Sequence, residues 1–265
     1  MKSPVLSILF LLISVTLLAV PNDFRFRHFS VEDGLSSNSV RAIMQDKYGF
    51  LWIGTEEGLN RYDGIMIKSY SICPQAAGKY ISSLYGTKKN IWIGTDEGIY
   101  IYAYATETFT YFDLTTPNNV RITSIVNHIL QDKDGNLWFS TNGQGLFRYN
   151  LSKNYLEQYE FTSAFGIVAS TMADSDNQIW ALTNQGESGV YKLNKAENKF
   201  EPFGLLYNAG NHHSQALAML EDSEQTLWLG TWECGLQKID KYTRQTTTYL
   251  HPTDGKGVTH IHSSF

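Results

Sequence analysis

Five tryptophans divide the chain into near-equal parts. Trp52, Trp92, Trp138, Trp180 and Trp228 stand 40, 46, 42 and 48 residues apart. Three residues after each comes a threonine (Thr55, Thr95, Thr141, Thr183, Thr231), and a glycine followed by an aliphatic residue comes shortly after that: Gly58-Leu59, Gly98-Ile99, Gly145-Leu146, Gly189-Val190, Gly235-Leu236. Matches at several fixed offsets in five places require five copies of one supersecondary unit, each burying its apolar face against the next.

Within a copy, the pattern is that of four short antiparallel strands. In the first strand the positions twelve and eight before the tryptophan are apolar: Val40/Met44, Val126/Leu130, Val168/Met172 and Ala216/Leu220. The second copy supplies Ile81/Tyr85 once its turn is shortened by one residue. The residue between the pair is small in four copies (Ala42, Ser83, Ser170, Ala218), which suits strands crowded around an axis. Ile43, Leu84, Ile129 and Met219 make the opposite side apolar too, as expected when neighbours cover both faces of a sheet. A turn follows, DKYGF at 46–50 and DKDGN at 132–136, in which glycine, or asparagine as at Asn177, takes a left-handed conformation. The second strand carries the tryptophan between units, the third ends in Tyr62, Tyr102, Tyr149, Leu193 or Ile239, and the fourth is rich in Tyr and Phe. The fold expected is all-β: a β-propeller of four-stranded antiparallel blades, about five of them present. FRFRHF (24–29) alternates like a half-buried strand and is expected to be an outer strand completing a blade begun at the far end of a longer chain.

Composition narrows the function. A net charge of -5 over 265 residues offers no basic surface to phosphate backbones, so nucleic acid is not an expected partner. Two cysteines, Cys73 and Cys234, cannot form a disulfide framework, and no cysteine and histidine spacing suggests zinc. The DxDG of 132–135 lacks the remaining oxygen ligands of a calcium loop and reads as a solvated hairpin turn, so neither metal nor cofactor is expected. No G-x-S-x-G, H-E-x-x-H, P-loop or recurring carboxylate pair occurs, and His212-His213 and His260-x-His262 lack partners at defined positions; no catalytic residue is assigned.

The start of the chain carries Lys2 and then the apolar run VLSILFLLISVTLLAV (5–20), too short and too weakly flanked for a confident membrane span. It reads as a secretory signal over 1–21. The region 19–22 lacks a clean A-x-A, which leaves an uncleaved membrane tether as the alternative. The domain expected is then 22–265, a partial propeller exported to the periplasm.

Since the repeat is consumed by packing, function is expected in its departures, and these gather in two sets of loops. Between threonine and glycine the first two copies have two residues, the third NGQ, the fourth NQGES and the fifth WEC. Blade-to-blade connections vary as well: SICPQAAGK, DLTTPNNVRITS, GLLYNAGNHHSQ. Both sets emerge on one face of a propeller. Asn142, Gln144, Asn184, Gln185, Glu187, His212, His213, Trp232 and Glu233 would rim that face. A tryptophan beside amides and carboxylates is the composition that stacks on and hydrogen-bonds to sugar rings, so these nine are the candidate ligand contacts.

QDKYGFLWIGTEEGLNRYD (45–63), QDKDGNLWFSTNGQGLFRYN (131–150) and the lead-in FSVEDGLSSNSV (29–40) resemble the two-component-regulator propeller repeats of Bacteroidetes hybrid sensor histidine kinases. The resemblance covers nearly all of the expected exported part. It implies seven-bladed propellers and a β-sandwich outside the membrane, a kinase, receiver and DNA-binding domain inside, and transcription of glycan-utilisation genes controlled by oligosaccharide. GVTHIHSSF (257–265) resembles the lead-in to a further blade, so the sequence reads as an N-terminal fragment or a truncated product, an open arc of a seven-bladed ring. The expected function is an extracytoplasmic ligand-sensing module without chemistry of its own, coupled to the remainder of a sensor kinase or to a second copy. Two other readings stay open on sequence alone. One is a glycan lyase or hydrolase with a pair such as Glu187 and His212; the other is a protein-interaction scaffold.

Overall fold

The computed structural model describes residues 26–72, 79–161, 166–183, 189–205, 216–231 and 235–249. The expected signal segment, Cys73, Cys234, His260, His262 and the closing GVTHIHSSF all lie outside them.

Four consecutive strands make each sheet, paired in chain order and antiparallel throughout. Blade 1 is β1 (Val40–Gln45), β2 (Leu51–Thr55), β3 (Gly58–Tyr62) and β4 (Ile67–Tyr70); blade 2 is β5 (Ile81–Gly86), β6 (Asn90–Thr95), β7 (Gly98–Ala103) and β8 (Thr108–Tyr111). Blade 3 is β9 (Val126–Gln131), β10 (Leu137–Thr141), β11 (Leu146–Asn150) and β12 (Tyr155–Tyr159); blade 4 is β13 (Val168–Ala173), β14 (Ile179–Thr183), β15 (Gly189–Asn194) and β16 (Lys199–Leu205). Blade 5 is β17 (Ala216–Glu221), β18 (Thr226–Thr231), β19 (Leu236–Asp240) and β20 (Thr246–Tyr249). The inner strands pack in series, β1 on β5, β5 on β9, β9 on β13 and β13 on β17, and no comparable packing joins β17 back to β1 among the described residues. The result is an open arc of a propeller.

The core lies in the four seams between blades. Trp52 packs with Ile81, Ile91, Ile93 and Tyr102 of blade 2, Trp92 with Leu137, Phe139 and Phe147 of blade 3, Trp138 with Ile179, Ala181 and Tyr191 of blade 4, and Trp180 with Leu227 and Leu229 of blade 5. Each tryptophan therefore faces the next blade. Contact at the inner strands is close enough to require glycine on the same face. A Cβ on Gly94 would lie 2.9 Å from the Val126 carbonyl oxygen, and one on Gly54 would lie 2.5 Å from a methyl carbon of Ile81.

A bulge alters the expected face assignment in every inner strand. The register of β1 on β2 shifts between Val40 and Ala42, and the same break recurs in β5, β9, β13 and β17. The extra residue turns Ile81 and Val126 toward the preceding blade, onto Gly54 and Gly94, while Met44 and Leu130 sit opposite Trp52 and Trp138 on the other side. Strict alternation placed these residues on one face, and one inserted residue is enough to separate them.

Phe24 and Arg25 of FRFRHF lie outside the described residues, and residues 26–30 form no strand among those described. Phe29 instead lies against Tyr62 with ring centroids 4.8 Å apart, as Phe112 lies against Tyr149 at 5.1 Å where one blade passes into the next. After a short 3-10 turn (Val31–Asp33), Leu35 is buried on blade 1 and Ser36 bonds Thr55 Oγ1 at 2.8 Å and Asn60 Oδ1 at 3.0 Å. The lead-in thus lies where a blade-to-blade connection lies elsewhere.

Candidate ligand-binding face

The loops joining second to third strands and the connections between blades emerge together, because strands two and four of each blade run the same way. The recurring threonine and glycine close the base of each loop. Thr55, Thr95, Thr141 and Thr231 donate their hydroxyls to the carbonyls of Gly58, Gly98, Gly145 and Gly235 at 3.0, 3.0, 2.6 and 2.7 Å. In blade 4 the Thr183 hydroxyl accepts from the Gly189 N–H at 3.2 Å. Each buried clasp fixes the sheet end and leaves the intervening residues outside it.

On this face Arg41 pairs with Glu56, and Lys79 with Glu97. The hydrogen bond from Arg41 holds the Glu56 carboxyl below the usual carboxylate range, and Glu56 in turn raises the guanidinium. Arg41 also lies 5.8 Å from the Tyr80 ring centroid. These pairs went unread in the sequence because each partner belongs to a different stretch, and only the fold brings them together.

Of the nine candidate contacts, the structure describes two. Asn142 donates its backbone N–H to Ile125 O at 2.9 Å and bridges Ile167, so its loop is anchored to two connections. Gln144 is a brace: Oε1 accepts from the N–H groups of Thr123 and Ser124 at 2.8 and 3.0 Å, and Nε2 donates to Arg121 O at 2.9 Å. Asn184, Gln185, Glu187, His212, His213, Trp232 and Glu233 lie outside the described residues; their loops spring from Thr183, β16 and Thr231.

Inside the arc, the inner strands of blades 3, 4 and 5 line a groove of about 490 Å³ that includes Asn127, Gln131, Ser170, Thr171, Leu217 and Met219. Side chains seal the blade junctions here: Ser82 and Ser83 donate to Val126 O at 2.8 and 2.7 Å, and Asn127 to Val168 O at 2.9 Å. His128 also lines the groove, with Nδ1 enclosed and unpartnered among the described residues. Burial keeps its pKa below the ordinary histidine value, opposed by a backbone hydrogen bond at Thr171, so the imidazole is neutral at pH 7. Amides, hydroxyls and a neutral imidazole suit an uncharged, hydroxylated ligand.

On the opposite face, the first turn of four blades holds the tryptophan. Asp46, Asp132, Asp174 and Asp222 accept the indole N–H of Trp52, Trp138, Trp180 and Trp228 at 2.7, 2.8, 2.9 and 2.7 Å. Their other carboxylate oxygens accept backbone N–H groups within the turn. Asp132 is therefore buried and fully engaged, which corrects its reading as part of a solvated turn. The signal was present as an aspartate six residues before four of the five tryptophans.

The family model for the two component regulator propeller matches residues 34–57 and 119–143, the lead-in with the first two strands of blade 1 and the corresponding part of blade 3. These two stretches match two-component regulator propeller repeats. Over 68 residues, 26% of its length, this propeller is 46% identical to histidine kinase P4 of Formosa agariphila, of which it spans 5%. It is similar to the extracellular domain of a hybrid two-component system from B. thetaiotaomicron at a TM-score of 0.70 and 25% identity, over 85% of this chain and 32% of that one. Virginiamycin B lyase from Staphylococcus aureus matches at a TM-score of 0.63 and 16% identity, covering 83% of this chain and 75% of the lyase, and so shares the fold alone. The propeller thus spans less than a third of its sensor-domain neighbour. No helix among its described residues is long and apolar enough to cross a membrane.

Proposed function

We propose that this propeller is the ligand-sensing part of a periplasmic sensor that recognises oligosaccharide on its loop face and regulates glycan-utilisation genes through a histidine kinase lying outside the chain. What carries the reading is the division of labour in each blade. Tryptophan, threonine and glycine, and aspartate in four blades, are consumed by seams, turns and clasps, while length and composition vary most on one face. Trp232 stacks on a sugar ring, Glu233, Asn142, Asn184, Gln185, Glu187, His212 and His213 supply hydrogen bonds, and Gln144 holds the connection between blades 2 and 3 in place. The remainder of the sensor, or a second copy, receives the signal. The similarity to an extracellular domain of a hybrid two-component system supports the coupling to a kinase.

Calorimetric titration of the full chain with oligosaccharides released from plant and algal polysaccharides tests this reading. Saturable binding that weakens about tenfold or more in Trp232→Ala is expected. Absence of saturable binding across the panel, binding indifferent to Trp232→Ala, or release of cleaved sugar products would overturn it.

A further inference from the structure

Blade 2 departs from the repeat around its own tryptophan, and a cavity lies at that departure. In the other four blades a cation stands opposite the tryptophan in the third strand and covers its ring: Arg61 over Trp52 at 5.8 Å, Arg148 over Trp138 at 5.7 Å, Lys192 over Trp180 at 5.3 Å and Lys238 over Trp228 at 5.6 Å. The residue opposite Trp92 is Ile101. The indole partner is missing too. Where the others have aspartate, blade 2 has Thr87, whose hydroxyl turns into its own hairpin, donating to Asn90 O at 2.9 Å and accepting from Asn90 N at 3.0 Å. The Trp92 indole N–H is enclosed and has no partner among the described residues.

Trp92 and Ile101 form one side of a cavity of about 390 Å³ between blades 2 and 3, a size within the range of about 300–1,000 Å³ typical of small-molecule pockets. Aromatic rings of Phe112 and Tyr149, 5.5 and 5.8 Å from Trp92, form the apolar walls. Asn90, Asp113 and Asn154 supply polar groups. The side chains of Asn90 and Asp113 and the amide nitrogen of Asn154 make no hydrogen bond to any described residue, while Asn154 Oδ1 accepts from the Tyr149 hydroxyl at 2.8 Å. No lysine or arginine lines the cavity, and Asp113 disfavours anions.

Flat aromatic walls, free amides, one carboxylate and no cation match a neutral ring bearing hydroxyls. We infer that this cavity is a second ligand site, which takes a neutral pyranose between blades 2 and 3. The sugar ring lies against the aromatic walls, its hydroxyls bond Asn90, Asp113 and Asn154, and one ring or hydroxyl oxygen becomes the acceptor that Trp92 lacks. Asn90 and Asn154 belong to the turn side of the blades and Asp113 to the start of the blade 2–3 connection, so the site lies in the seam and shares no residue with the nine loop-face candidates.

The test is nitrogen–proton correlation spectroscopy of the full chain, with the Trp92 indole signal assigned through Trp92→Phe, during titration with glucose, galactose, mannose, xylose and their neutral disaccharides. The expected result is a saturable shift of the Trp92 indole signal by at least one sugar. Ile101→Arg, which copies blades 1 and 3, should weaken that response about tenfold or more with the thermal midpoint maintained, whereas Trp232→Ala should leave it unchanged. Asn154→Leu should weaken it similarly and serves should Ile101→Arg fail to fold. A Trp92 signal unmoved by every sugar, or shifted equally in the variants that fold, overturns the site without touching the loop-face reading. A shift lost in Trp232→Ala would also overturn it, by assigning the response to the loops.

Discussion

Trp180 and Trp228 have nearly the same immediate surroundings and opposite fates. Each donates its indole N–H to an aspartate, at 2.9 and 2.7 Å, lies under a lysine, and has an aromatic partner, Phe203 at 4.8 Å or Tyr249 at 5.8 Å. Trp180 is fully buried by the Leu227 and Leu229 side of blade 5. Trp228 is partly exposed, with Leu220 and Tyr249 open beside it. The repeat thus dictates how a tryptophan is held, and a neighbouring blade dictates how much it stabilises.

The sharpest way to break this comparison is to truncate both rings. Trp180→Ala should lower unfolding free energy by about 3–5 kcal/mol, and Trp228→Ala by about 1 kcal/mol, read from urea denaturation. Equal losses would mean that the Trp228 face is covered in solution.

A second expectation concerns the seam's charged bolt. Lys241, 5% exposed, reaches from the last turn of blade 5 to Asp176 of blade 4 at 2.8 Å, to Glu221 at 2.7 Å and to Asp174 at 3.5 Å. Burial alone would lower the pKa of its ammonium group; hydrogen bonds to Asp176 and Glu221 and the charge of Asp174 override that and raise it. Lys241→Ala leaves the buried Asp174 and the half-buried Glu221 without their cation and should cost about 3 kcal/mol by the same measurement. A loss below that of Trp228→Ala would move the strength of the seam back to its apolar side.

The smallest effect is in acid. The Asp222 carboxyl lies below its ordinary range, chiefly through the Trp228 indole N–H and then the Thr226 N–H. A carboxylate depressed on folding contributes its stability above the unfolded value of about 3.9, and that contribution disappears as pH falls through the lower folded value. Asp222→Asn should therefore flatten the fall in urea midpoint between about pH 4 and pH 2 while lowering the midpoint at pH 7. An unchanged acid slope would remove Asp222 from the account.

Much of this architecture was legible because Trp, Thr and Gly recur at positions that each do one physical job: filling a seam, closing a loop, letting two backbones approach. What escaped was relational. The bulge in each inner strand leaves no mark in an alternating pattern, and it separated residues such as Val126 and Leu130 that looked coplanar. The aspartate six residues before the tryptophan was visible as a turn residue, but its bond to the indole needed the hairpin to be folded. The substitution of Thr87 and Ile101 in blade 2 was readable only as a shorter turn, since neither change is unusual until the other four blades show what is missing. The candidate loop face was legible as a location, and Gln144 shows the limit of composition: an amide read as a ligand contact spends three of its bonds on the backbone of the neighbouring connection between blades 2 and 3.

The threonine clasp has a consequence for how such a chain can change. Because a threonine hydroxyl closes the base of each loop, donating to the glycine carbonyl in blades 1 and 3 and accepting from the glycine N–H in blade 4, loops of two, three and five residues stand on one kind of clasp. A loop can be exchanged between blades, or replaced from a synthetic library, at its threonine and glycine without renegotiating the sheet beneath. Diversity in this scaffold is modular in the engineering sense, with the cut sites already written into the repeat.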